Sequence, residues 1–130
     1  MTYAAGQHPY QYTVLRGVPR VDREEFVNLG VVLYCQTTDF LSAAWNVDRD
    51  RLVALAPQVD VDQVCEALAF VEHVCAGDER GGEAARQPMG ERFGFLTAPR
   101  STVVQPGPVH GGVTDDPVRQ LEHLVARFVG

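Results

Sequence analysis

Lysine is missing from this chain: all 11 basic residues are arginine, against 17 acidic ones, and the net charge is −6. A lysine-free composition follows in part from the codon bias of a GC-rich genome, so it carries little functional weight. The acidic balance carries more. Non-specific duplex binding draws on phosphate neutralisation by a basic surface, and such binding is not expected here. No apolar run approaches the roughly 20 residues of a membrane helix. Residues 1–10 are polar and lack the basic-then-apolar pattern of a signal segment. The expected location is the cytoplasm, with no membrane partner.

Cysteine is scarce and unpaired in pattern. Cys35, Cys65 and Cys75 make an odd number with no C-x-x-C. The last two fall on one expected helix, where ten residues span roughly 15 Å, too far for a disulfide. Three reduced, mostly buried thiols are expected. His8, His73, His110 and His123 include no H-x-x-x-H pair, so no metal site is expected. A phosphate-binding G-x-x-x-x-G-K-[ST] loop, a G-x-G-x-x-G turn and a G-x-S-x-G elbow are also absent. Cys35 closes a strand instead of opening a helix, where a thiolate would be favoured. Covalent catalysis therefore finds little support, and no cofactor is implied. Whether the chain is an enzyme stays open, with the balance against it.

What is present suits one domain. A chain of 130 residues with 45% hydrophobic content can bury roughly two-thirds of its unfolded surface. Residues 1–9 read as a loose arm. Tyr10, Tyr12, Val14 and Arg16 alternate in strand fashion up to Pro19. Residues 29–35 are apolar at nearly every position, as in a central strand covered on both faces. A hairpin loop at 36–39 leads to a third strand over 40–47. Asp48 and Asp60 are placed to cap helices that stop at Pro57 and Gly77. The second helix carries Val61, Val64, Cys65, Leu68, Val71 and Cys75 at helical spacing. Residues 78–88 are rich in Gly, Glu and Arg and are expected to form a mobile loop. Residues 90–98 show no clean period, and 101–105 reads as a further strand. Asp116-Pro117 opens a C-terminal helix with the stripe Val118, Leu121, Leu124, Val125 and Phe128. Strands first, helices after and a late return to strand give an α+β fold. The expected form is a small antiparallel sheet of three to five strands, with two or three helices packed mainly on one face.

Two polar constellations stand out. The first is Arg16, Arg20, Arg23, Glu25 and Asn28, closing at Gly30. Arginines near a strand end can converge on an anion, though Asp22, Glu24 and Glu25 also permit a salt-bridged loop. The second is Glu91, Arg92, Arg100, Ser101, Thr102, Gln105 and His110, set among Gly and Pro. Candidate anion ligands are Arg16, Arg20, Asn28, Arg92, Arg100, Ser101 and Gln105. If a proton is transferred, Glu25 and His110 are the candidates.

The run YQYTVLRGVPRVDREEFVNLGVVLYC at 10–35 and GERFGFLTAPRSTVVQPGPVHGG at 90–112 together resemble the bacterial domain of unknown function 3037 family. The likeness covers nearly the whole chain, through R-x-x-P-R, E-F-x-N-x-G and A-P-R-S. Arg16, Arg20, Glu25, Asn28 and Gly30 match one motif; Arg92, Pro99, Arg100, Ser101 and Gln105 match the other. The resemblance implies no reaction. Because members are often encoded beside HipA-like kinases, it implies such a kinase as a protein partner. The leading expectation is an accessory or regulatory binding module. The alternatives are a small enzyme or nucleotide-binding protein acting on a phosphorylated or carboxylated ligand, and a homodimer built on strand 30–35 or the final helix.

Overall fold

The computed structural model describes residues 5–20, 25–100 and 102–130; of 19 and 20 it describes the backbone alone. Strands β1 (His8–Arg20) and β2 (Glu25–Cys35) pair antiparallel at the centre of a five-stranded sheet. β3 (Phe40–Trp45) pairs with the outer side of β2. The other side of β1 is shared by two short strands: β4 (Val104–Pro106) lies along 15–17, and β5 (His110–Thr114) along 8–12. The sheet is antiparallel throughout, and the α+β expectation holds.

Side chains alternate across a strand, and this chain covers both faces. Leu15, Leu29, Val32, Leu41 and Ala43 face a first core, closed by Leu52 of α1 (Arg49–Leu55), by Val64, Leu68 and Val71 of α2 (Val61–Ala76), and by Phe93 and Leu96 of α4 (Met89–Thr97). On the other face Val31, Leu33 and Cys35, all fully buried, meet Leu121 and Leu124 of α5 (Pro117–Phe128). The strand at 29–35 is apolar at nearly every step because both of its faces are covered. Five helices form among the described residues, more than the two or three expected, and α5 stands alone on its face.

A bulge in β2 organises the site. Leu15 opposes Gly30, whereas Arg16 opposes Asn28, so Leu29 is an extra residue. Leu29 stays in the first core, and Asn28 is thereby placed on the α5 face beside Arg16. Gly30 is required at the bulge: a Cβ there would lie 2.6 Å from the Ala44 carbonyl oxygen and 2.7 Å from Trp45 Cβ.

The structure differs from the sequence reading in several places. Residues 78–88, expected as a mobile loop, hold a 3-10 turn (Glu79–Gly81) and a helical turn, α3 (Gly82–Ala85). Asp78 accepts from the Arg80 amide there, and Gly81 and Ala85 are buried. Residues 8 and 9 of the expected arm belong to β1. The aperiodic stretch after 88 is α4, and β5 had no counterpart in the reading. Val118 is 56% exposed, outside the α5 stripe. Cys65 is exposed, and Val74 lies in the core beside Cys75. β2 offers no free edge for a dimer, since β1 and β3 occupy both sides.

Candidate functional site

The α5 face of the sheet carries the polar patch. Arg16 projects between its lateral neighbours Asn28 on β2 and Gln105 on β4. Its guanidinium lies over the Phe26 ring, 4.2 Å from the centroid, in cation–π geometry. The same group lies across Gly107, where an added Cβ would come within 3.1 Å of Arg16 Cζ and Nε. Gly107 is held in turn by its amide donating to the Val14 carbonyl and its carbonyl accepting from Thr13 Oγ1. Arg16 is thus seated between an aromatic ring and a bare stretch of backbone. Its Nε is buried and, among the described residues, finds no acceptor.

The surrounding amides are turned to other tasks. Asn28 Nδ2 donates to the Phe128 carbonyl at the end of α5, over 3.0 Å. Gln105 Nε2 donates to the Thr102 carbonyl, also over 3.0 Å. Both hold the frame around Arg16. Further along β1, Tyr12 stands opposite His110, with ring centroids 5.4 Å apart, and it also meets Phe128 at 6.0 Å. Tyr10 lies over Gly112, its hydroxyl region occupying the space a Cβ would need. Burial raises the Tyr10 phenol above its ordinary value, with Tyr12 adding to the rise and Arg127 opposing it.

Sequence candidates therefore divide by face. Arg16, Asn28, Gln105 and His110 share the α5 face across four strands, β1, β2, β4 and β5. Arg92 belongs to α4 on the opposite side, where its Nη1 donates to the carbonyls of Val74 and Cys75 at 3.0 and 2.7 Å. It closes the end of α2. Arg100 folds back on the end of α4, donating to the Phe95 and Ala98 carbonyls while its guanidinium lies 4.8 Å from the Phe95 ring centroid. Desolvation lowers its pKa from the usual arginine value. The structure does not bring Arg92 or Arg100 to Arg16. Glu25 opposes Arg20 at the end of the β1–β2 pair where the chain passes from one strand to the next. The side chain of Arg20, together with Arg23 and Ser101, lies outside the described residues. The sequence reading missed Phe26 and Gly107; the two-residue step from Phe26 to Asn28 was the signal that they share a strand face.

Among the described residues, no group of three or more His, Cys, Asp or Glu side chains could hold a metal. No described helix is long and apolar enough to cross a membrane.

The fold and the patch define an α+β domain with one arginine framed on the more lightly covered face of its sheet. Residues 12–129 match the family model described as "Protein of unknown function (DUF3037)", and the chain belongs to that family. No curated protein and no solved structure matches it.

Proposed function

We propose that this domain is an accessory binding module that grips an acidic or phosphorylated group of a protein partner through Arg16. The observation that carries the reading is the Arg16 guanidinium, whose Nε is buried without an acceptor among the described residues and which lies over the ring of a Phe26 that is itself 46% exposed. A buried donor left unpaired is costly, and an arriving carboxylate or phosphate relieves that cost with charge-assisted, fork-shaped hydrogen bonds. Exposed Phe26 would supply apolar contact at the rim. Asn28 and Gln105 fix the frame, so recognition falls on one cation rather than a cluster. The family resemblance adds the expectation that the partner is a HipA-like kinase.

Co-expression with a HipA-like kinase tests the proposal. The wild-type domain is expected to co-purify with it and to gain heat stability on mixing. Arg16→Ala is expected to weaken binding about tenfold to a hundredfold, the scale of one charged hydrogen-bonding group. Arg16→Lys keeps the charge but loses the planar fork, and is expected to fall between. Failure to co-purify, or equal capture of Arg16→Ala, would overturn it.

A further inference from the structure

We propose that the outer edge of β3 is a self-pairing surface, through which two copies of this chain join their sheets. It involves different elements from the Arg16 patch and does not rest on that reading.

β3 is the end strand of the sheet, paired on one side only. The Asn46 amide donates inward to the Leu29 carbonyl over 2.8 Å, which sets the alternation along the strand. Phe40, Ser42 and Ala44 point their backbone groups at β2. Leu41, Ala43 and Trp45 therefore point theirs outward, with no partner among the described residues. Natural edges are guarded by charge, proline, bulges or shortness. The far side of this sheet follows that pattern: β4 has three residues and ends in Pro106, and β5 begins with His110 and two glycines. β3 has six residues, FLSAAW, with no charge, proline or glycine.

A second copy fits this edge better than an unrelated strand does. A two-fold axis at Ala43 sets the outward-pointing residues opposite one another, with Ala43 facing Ala43 and Leu41 facing Trp45 of the second copy. Ser42 then opposes Ala44, and Phe40 opposes Asn46. Outside the strand, Asp39 falls opposite Val47 and Asp48 opposite Thr38, so no like charges stand opposite one another along the paired strands. The register also uses a hollow. Beside Leu41 lies a cleft of about 300 Å³, lined by Leu41, Ser42, Ala43, Glu72, His73, Cys75 and Ala76. Leu41 and Ala43 face the first core, so a residue paired with Leu41 projects on the cleft side. That residue is Trp45 of the second copy, the single tryptophan of the chain, which is half-buried against its own first core and would bring its remaining exposed surface to the cleft. Ladder hydrogen bonds would supply pairing and the indole would supply register.

The test is sedimentation of the full chain from micromolar to millimolar concentration, combined with residue-resolved amide exchange. A dimer is expected, in which the Leu41, Ala43 and Trp45 amides slow as concentration rises while those of Ser42 and Ala44 stay slow throughout. Ala43→Pro removes an outward N–H that the chain's own ladder does not use, and is expected to give a folded monomer. A chain that stays monomeric across the range overturns the proposal. So does a dimer whose Leu41, Ala43 and Trp45 amides exchange at the dilute rate, or a folded Ala43→Pro that still dimerises. If Ala43→Pro fails to fold, the wild-type amides decide alone.

Discussion

Asn28, Arg92 and Arg100 all stand in polar motifs, and each meets the carboxyl end of a helix. The last carbonyls of a helix have no partner within it, and in α5, α2 and α4 these three side chains donate to them. Loss of the neutral bond in Asn28→Ala is expected to cost about 1 kcal/mol, and loss of the charged pair of bonds in Arg92→Ala about 1.5–3 kcal/mol. Arg92→Lys should recover part, since a cation near a helix C-terminus is favourable; urea denaturation would measure all three. Asn28 in particular reads as a ligand because the helix end it serves is remote in the chain: Asn28 and Phe128 are 100 positions apart. The cysteines were easier to read, though not in detail. Burial pushes the Cys75 thiol up to about 12 from 9.0, whereas Cys65 is exposed. At neutral pH a thiol reagent is expected to modify Cys65 first. The folded Cys75 keeps its proton through the ordinary thiol range, so its reaction should follow unfolding. Fast labelling of all three thiols in the folded chain would contradict this.

Elements whose glycines break a pattern were the hardest to read. α4 hides behind Gly90 and Gly94, yet Met89, Phe93 and Leu96 fall on one helical face and pack against the first core. β5 reads as a loop because Gly111 and Gly112 follow His110, but Gly112 is bare so that Tyr10 can lie over it. By contrast α1, α2 and α5 were announced by Asp48, Asp60 and Asp116, each of which accepts from an amide three residues on. These signals are local, so sequence suffices to see them. Two glycines make opposite predictions. Gly94 sits in a helix with nothing within 4 Å of a built Cβ, so Gly94→Ala is expected to stabilise by about 0.5–1 kcal/mol. Gly30→Ala would press on the Ala44 carbonyl and is expected to destabilise by about 1–3 kcal/mol. Thermal melts of the two variants should move in opposite directions.

The whole molecule depends on two unequal cores. The first is closed by several helices, the second by α5 alone, so α5 is the weaker seal. Leu121→Ala and Leu124→Ala are each expected to cost about 2–5 kcal/mol, and to increase dye binding by exposing Val31 and Leu33. A dye response no larger than that of Leu68→Ala would show that the two faces are equally protected. The two-sided burial was legible in the unbroken apolar run of β2; which helix covers which face was not, because helical periodicity marks an apolar stripe without naming its target. The sharing of one side of β1 between β4 and β5 also bears on how the protein is made. β1 is made well before its partners on that side, which begin at Val104, and Thr13 waits for Gly107, 94 positions later. Such distant closures are slow, and domains generally fold as units. While the residues in between are made, the chain presents its central strand half-paired, with β4 and β5 serving as the clasp.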